Sequence, residues 1–323
     1  YGLLFDFTTS SMVSISDSDF HKGNIGDPLQ LITGRVAGLD ISKAGGDPNT
    51  RADVRLRGLN TLYSNPEPLI VIDGFPGASL DNLDPNDIAS ITVLKDGASA
   101  ALYGLSGSSG VIVILTRRGT PDKPSVTYKT SLSVEKIARN QPVLNPSEWK
   151  QLSEEIHMGQ DFGSQTDWFS EIEQTALSQI HHLSLSGGNE HSSYDASMNY
   201  RQGEGTLRQT GFNQLNGRIR FSQNALKNKL LFDVSLSGTV RKASLGFGDA
   251  FRYAATYNPT APVTSEDQAY QAYDGYFQQV IFDCYNPVAL LNLDKNERKT
   301  GLLSARMLGS LELIKGVKVQ AMY

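Results

Sequence analysis

"VLKDGASAALYGLSGSSGVIVILTRRG", Val93 to Gly119, sets five glycines among serines and alanines and then breaks into a hard apolar run. Three readings compete for it: a phosphate cradle, a nucleophile turn, or architecture. A phosphate site needs a strand, a glycine turn and then a helix whose N-terminus meets the anion. Gly104, Gly107 and Gly110 have a G-x-x-G-x-x-G spacing, but they lead into the β-branched Val111–Thr116, and no lysine stands in Walker position. "GLSGS" approaches the nucleophile elbow, yet Ser108 occupies the second glycine position and a strand follows where a helix belongs. The architectural reading is the one left.

Working outward toward the N-terminus, short strands alternate with turn clusters. "DPLQLITGRVAG" opens on Asp27-Pro28, spaces Leu29, Ile32 and Val36 helically, and stops at Gly38, which predicts a helix of about two turns. "LDIS" and "DVRLRG" read as two strands around the turn "KAGGDPNTRA". "LIVIDG" reads as a buried strand, and "IASITVLKDG" as another ending in a turn. Residues 1–120 therefore form an α+β domain, and residues 121–323 follow a different grammar.

From Pro124 on, long stretches alternate with period two. "SVTYKTSLSVEK" puts Val126, Tyr128, Leu132 and Val134 on one face and Lys129 and Glu135 on the other. "YDASMNYR", "QLNGRIRFSQ", "LLFDVSLSGTV", "LLSARMLGSLELI" and "GVKVQAMY" repeat the pattern, each with one face free of charge. Alternation alone fits either a soluble sandwich with its apolar face inward or a transmembrane barrel with that face in lipid. The strands exceed the ~5–6 residues usual in globular sheets, and Tyr194, Tyr200, Phe212 and Phe221 lie near strand ends, as an interfacial girdle requires. "LNPSEWKQLSEEIHMG" and "TDWFSEIEQTALSQ" read as helical or loop insertions, the first capped at Asn145.

Composition narrows the function classes. A net charge of −5 gives no basic excess for nucleic acid. One cysteine, Cys284, excludes an internal disulfide framework and reads as a small hydrophobe. His157, His181, His182 and His191 lack metal-ligand spacing, and the adjacent His181 and His182 point to opposite faces of a strand. Asp73, Asp84, Asp87 and Asp96 sit at turns, where their backbone hydrogen bonds explain them. No catalytic residue, metal ligand or cofactor is expected, and an enzyme is not. Both ends read as cut, with no leader before Tyr1.

The residues now on the page resemble a known family. "RLRG" with Arg57 and Gly58, "PLIVIDG" with Asp73 and Gly74, and "LKDGASAALYG…GVIVILTRRG" with Lys95, Asp96, Gly97, Tyr103, Gly104, Gly107, Gly110 and Arg117 are similar to the plug domain of TonB-dependent outer-membrane receptors, in the SusC-like branch of Bacteroidota. The resemblance extends with less specificity through "SSYDASMNYRQGEGTLRQTGFNQLNGRIRF", "YNPTAPV" and "NPVALL"; "YGLLFDFTTSS" fits it poorly.

The resemblance implies an α+β plug inside a transmembrane β-barrel of roughly 22 antiparallel strands. It also implies a SusD-like lipoprotein lid, energy through TonB, outer-membrane lipid around the barrel, and an oligosaccharide or peptide as cargo. Asp195, Arg201, Arg218, Arg220 and Asp233 are then expected to face the plug. A glycine-rich, polar plug without an oily core suits movement. The end expected to face cargo holds Asp47, Asn49, Thr50 and Phe75 as candidate contacts. The leading expectation is active import of glycans; import of peptides, a non-transporting adhesion protein and a soluble β-rich hydrolase are the alternatives.

Overall fold

The computed structural model describes residues 12–43, 47–56, 67–95, 101–119, 124–279, 281–314 and 316–323. Arg57, Gly58, Asp96 and Gly97 lie outside the described residues, as do residues 1–11.

The first domain is built on a five-stranded sheet of β1 (Met12–Ser16), β4 (Leu69–Ile72), β5 (Phe75–Pro76), β6 (Ile88–Leu94) and β7 (Val111–Thr116) in the order β1-β6-β7-β4-β5. β7, the apolar run of the decisive stretch, lies between its neighbours, parallel to β4 and antiparallel to β6. A separate hairpin pairs β2 (Leu39–Ser42) with β3 (Asp53–Leu56), as the alternation predicted.

The expected helix over 27–38 is a single 3-10 turn, Pro28–Ile32. Asp27 caps it through Leu29 N (2.9 Å), and Gly34 and Gly38 at positive φ turn the chain before a second helical turn forms. Leu29, Ile32 and Val36 are buried all the same, so their spacing served a packed turn. Ile32, Leu56, Ile88, Ile91, Ile112 and Ile114 belong to one continuous apolar cluster. That corrects the expectation of a domain without an oily core: its polarity lies on its outer surface.

The glycine-rich connection is a 3-10 segment, Ala101–Gly107, kinked at Gly104, and Gly110 closes it by donating its N–H to the Gly107 carbonyl (2.9 Å). Gly110 has φ +92, and a Cβ there meets Leu56 Cδ2 at 2.2 Å, so only glycine fits.

The second part is a wall of seven antiparallel strands in sequence order: β8 (Ser125–Glu135), β9 (Ala176–Gly188), β10 (Ser192–Glu204), β11 (Gly211–Ala225), β12 (Leu230–Ser244), β13 (Glu297–Ile314) and β14 (Val317–Met322). β9 begins at Ala176, inside the stretch expected to be an insertion. Burial is inverted relative to a soluble sheet. Leu132 (78 %), Leu303 (79 %) and Ile219 (61 %) are exposed, while Arg201 (4 %) and Asp195 (5 %) are buried against the first domain. The sandwich alternative fails on this point, because its apolar face would be the covered one. Phe212 also departs from expectation: it falls on the polar inner face, and its ring lies 4.0 Å from the Arg241 guanidinium.

Short links join β9–β10, β11–β12 and β13–β14 at one end, and long ones join β8–β9 and β12–β13 at the other. The end that carries the long links is the upper end of the wall. The long links fold into a cap. α1 (Pro146–Ile156) carries the expected Asn145–Glu148 capping box. α2 (Trp168–Ile172), α3 (Ala250–Thr256) and α4 (Pro287–Leu293) pack around Trp168, Phe169, Tyr257, Phe277 and the buried Cys284, whose thiol burial pushes up.

Candidate functional site at the plug–wall seam

The first domain sits against the inner face of the wall, and charged and amide side chains cross the seam between them. Three wall arginines along it each meet a carboxylate: Arg201, in the row of Gln214 and Arg241, and Arg218 and Arg220 below that row. Arg201 of β10 holds Asp84 in a two-pronged pair (Nη2–Oδ1 2.9 Å) and donates to the Ile25 carbonyl (2.7 Å). Arg218 of β11 binds Asp195 (2.6 Å), the Thr116 hydroxyl (2.5 Å) and the Arg117 carbonyl (3.0 Å). Arg220 lies between Asp73 (3.3 Å) and Asp233 (2.9 Å). The five charged residues expected to face inward therefore do so, because alternation put them on the face that the lipid-averse charges must share.

Asp73 ties this lattice to β7, accepting from Thr116 N (3.0 Å) and Oγ1 (2.6 Å). Burial alone pushes its carboxyl up, but Arg220 and the two Thr116 hydrogen bonds overcome that and hold it below the usual value. Asp87 is different. It accepts from Asn199 Nδ2 (3.1 Å), and Asn199 Oδ1 in turn accepts from His182 (2.5 Å), but burial dominates and raises its pKa. His182 is buried here, whereas His181 faces outward against Tyr128 (2.7 Å), the opposite-face placement the sequence predicted.

Other described signature residues make contacts within the first domain. Lys95 donates to the Ala37 carbonyl (3.3 Å), Tyr103 packs on Val71, Leu94 and Val111, and Arg117 binds the Asn86 carbonyl (2.9 Å) and Asp17 (2.8 Å).

The upper half of the seam opens into a cavity of about 350 Å³. The plug side contributes Asp27, Lys43, Asn49, Thr50, Arg51 and Asp81; the wall contributes Phe212, Gln214, Arg241, Arg298 and Thr300. Asn49 and Thr50 are thus at the predicted end, with Asp47 bracing Asn49 (2.9 Å). Phe75 is not with them. Asn49 meets the Gly211–Ser244 row at the upper end, whereas Phe75 lies 5.1 Å from Arg306, whose row is Arg220–Ser235. The Asp73–Gly74 turn closes β4 at the lower end, and Ala78–Asp81 rather than Phe75 return to the cavity.

Asn49 is fully engaged. Its Nδ2 donates to the Ser244 (2.9 Å) and Gly211 (3.2 Å) carbonyls, and its Oδ1 accepts from Arg241 (2.8 Å). Its role in this structure is to latch the plug turn to the wall. Lys43 donates to the Pro48 carbonyl (3.3 Å) in the same turn; burial lowers its pKa, against the pull of Asp27 and Asp47. Arg241 and Phe212 were findable from alternation, which places both inward, but nothing local marks them as lining a cavity.

Comparison with known proteins agrees with this architecture. Residues 6–111 match the family described as TonB-dependent Receptor Plug Domain. TonB-dependent receptor SusC of Bacteroides thetaiotaomicron is 30% identical over 84% of the chain and 29% of its own length. TonB-dependent receptor P26 of Formosa agariphila is 31% identical over 90% of the chain and 30% of its own length. Among solved structures, the RagAB peptide importer superposes with TM-score 0.80 at 21% identity, covering 98% of the chain and 40% of that structure. The ferric citrate transporter FecA does so with TM-score 0.59 at 13% identity, covering 97% and 39%. The chain spans about 30% of the length of the curated relatives it matches.

Proposed function

Because this chain is a SusC-like TonB-dependent receptor sequence, a plug domain joined to strands of the surrounding barrel, we propose that the receptor to which it belongs actively imports oligosaccharides across the outer membrane. Residues 1–120 act as the plug and 121–323 as part of the barrel, with a SusD-like lipoprotein as lid and TonB as the source of energy. No chemistry is done on the cargo. The inverted burial carries this reading: an apolar outer face for lipid, and a polar inner face occupied by a separately cored domain.

Peptide cargo is the second reading, favoured by the fold shared with a structure described as a peptide importer. The test is uptake of labelled oligosaccharides and oligopeptides by cells carrying the complete receptor, with and without TonB. Import predicts accumulation that stops when TonB is removed. Uptake that persists without TonB, or surface binding with no accumulation, sinks the proposal.

A further inference from the structure

The wall arginines differ in what they meet. Arg201, Arg218 and Arg220 each have a carboxylate within ion-pair distance, and Arg306 donates to the Ile72 carbonyl (3.3 Å) with its face toward the Phe75 ring. Arg241 and Arg298, both on the cavity, have no carboxylate within that distance among the described residues. Arg241 instead spends its fork on two neutral amide oxygens, Gln214 Oε1 (2.7 Å) and Asn49 Oδ1 (2.8 Å), with its face on the Phe212 ring. Arg298 makes no hydrogen bond within the described residues.

The two are close by register. Thr300 stands opposite Arg241, and Arg298 stands opposite Ala243, so the arginines are diagonal neighbours on one face of β12–β13, about 7–8 Å apart at Cα. Like charges so placed repel unless something anionic shares them. The Thr300 hydroxyl, also on the cavity, has no partner among the described residues; Thr300 stands opposite Arg241 and two residues from Arg298 on β13. The plug side of the cavity carries Asp27, Asp53, Glu67 and Asp81, and its wall strands contribute no carboxylate among the described residues. Asp81 pairs with Arg51, Asp47 accepts from Asn49 and Asp27 caps its turn; Asp81 and Asp47 favour the charge of Arg241 from beyond ion-pair distance.

We infer that Arg241, Thr300 and Arg298 form a receptor for a carboxylate or sulfate group of the cargo, which makes the favoured cargo an acidic oligosaccharide. The inference rests on the import reading and names the cargo chemistry within it. An anion bound by Arg241 is held by charge-assisted hydrogen bonds, roughly twice as strong as those to neutral amide oxygens. It therefore displaces Asn49 Oδ1, and with it one contact of the latch between the plug turn and the wall. Cargo occupancy and release of the plug turn are coupled through one guanidinium.

The experiment is calorimetric titration of the complete receptor with trigalacturonate, with neutral galactotriose of the same length, and with triglutamate. The expected result is a preference for trigalacturonate over galactotriose that falls about tenfold or more in Arg298→Gln and in Arg241→Gln. Arg298→Gln removes no hydrogen bond, so its result stands whether or not Arg241→Gln folds. Hydrogen exchange at residues 47–56 should quicken when trigalacturonate binds. A matching arginine-dependent preference for triglutamate supports the anion receptor and assigns the anion to a peptide.

No preference in the unaltered receptor, or one that survives both substitutions, overturns the inference. TonB-dependent uptake of galactotriose alongside either of those results leaves import standing while this inference falls. Loss of TonB dependence with the binding pattern intact does the reverse.

Discussion

Asp73 and Asp87 are both buried carboxylates on the plug face of the seam, and they are held in opposite senses. Asp73 has its pKa depressed, against the cost of burial, by Arg220 and two hydrogen bonds from Thr116. Its ionised form is favoured in the fold, so its contribution to stability is present above the ordinary value of 3.8 and is lost as pH falls through the lower folded value. Asp87 has its pKa raised by burial, so its contribution is present below 3.8 and is lost as pH rises through the raised value. The charged form of Asp87 is a burden that Asn199 and the nearby Arg218 only partly relieve. Asp73→Asn should therefore lower the denaturant midpoint of the plug clearly at pH 7 and by less at pH 3. Asp87→Asn, which keeps an acceptor for Asn199, should cost little at pH 7. Denaturant titrations of the complete receptor at both pH values check this; equal losses for the two variants at pH 7 would show that charge is not what distinguishes them.

At the scale of elements, the passage from plug to wall is the tightest point. Gly119 passes under the β9–β10 turn so closely that a Cβ there would meet the Tyr194 carbonyl oxygen at 2.2 Å and the Gly187 carbonyl oxygen at 2.6 Å. Both obstacles are backbone, so neither can rotate aside. Gly119→Ala should cost about 1–3 kcal/mol or more by overpacking, read as a lowered yield of protease-resistant receptor. Gly217→Ala, in the wall with nothing within 4 Å, should leave that yield intact.

The outward face of β11 gives a second test. Ile219 is exposed in the uncharged part of that face, and Ile219→Arg should cost about 2–4 kcal/mol if lipid covers it. Folding of the complete receptor into vesicles measures it, and an unaffected midpoint would mean that water, not lipid, meets this face.

The strands of the wall were legible because period-two alternation is a local property, and the inward placement of Arg201, Arg218 and Arg220 came with it. Less was legible where local spacing has two uses. Leu29, Ile32 and Val36 look helical and instead pack a 3-10 turn, because Gly34 and Gly38 leave room for only one turn. β9 was half hidden because Ile180 turns inward among its polar neighbours and blurs the alternation. Phe212 looked like part of a girdle from its place near a strand end, although the alternation of Leu215, Gly217, Ile219 and Phe221 already puts it on the opposite, inner face. The cap around Trp168 and Tyr257 joins segments some ninety residues apart in sequence, and no period announces such a contact.

For the whole molecule, the question is why a plug with its own apolar core is fastened by charges. An apolar seam would gain about 25 cal/mol for each Å² covered and lose it all when water entered. A polar seam exchanges protein partners for water at a net cost of only about 0.5–1.5 kcal/mol per ordinary hydrogen bond. Buried ion pairs are likewise poor glue: replacing both partners by apolar residues of similar size is often neutral or stabilising by about 1–4 kcal/mol, while removing one costs about 3–5. Asp84 and Arg201, both almost wholly buried, are the cleanest pair on which to use that asymmetry. Arg201→Leu alone should destabilise the plug, because Asp84 is left charged with no counter-ion. Asp84→Leu together with Arg201→Leu should restore or exceed the original denaturation midpoint. If the seam is polar so that the plug can leave the wall, the double variant should also import its cargo more slowly than the unaltered receptor, although it is the more stable protein. A double variant that is stable and imports at the unaltered rate would detach the ionic lattice from movement and leave it as a device for placing the plug.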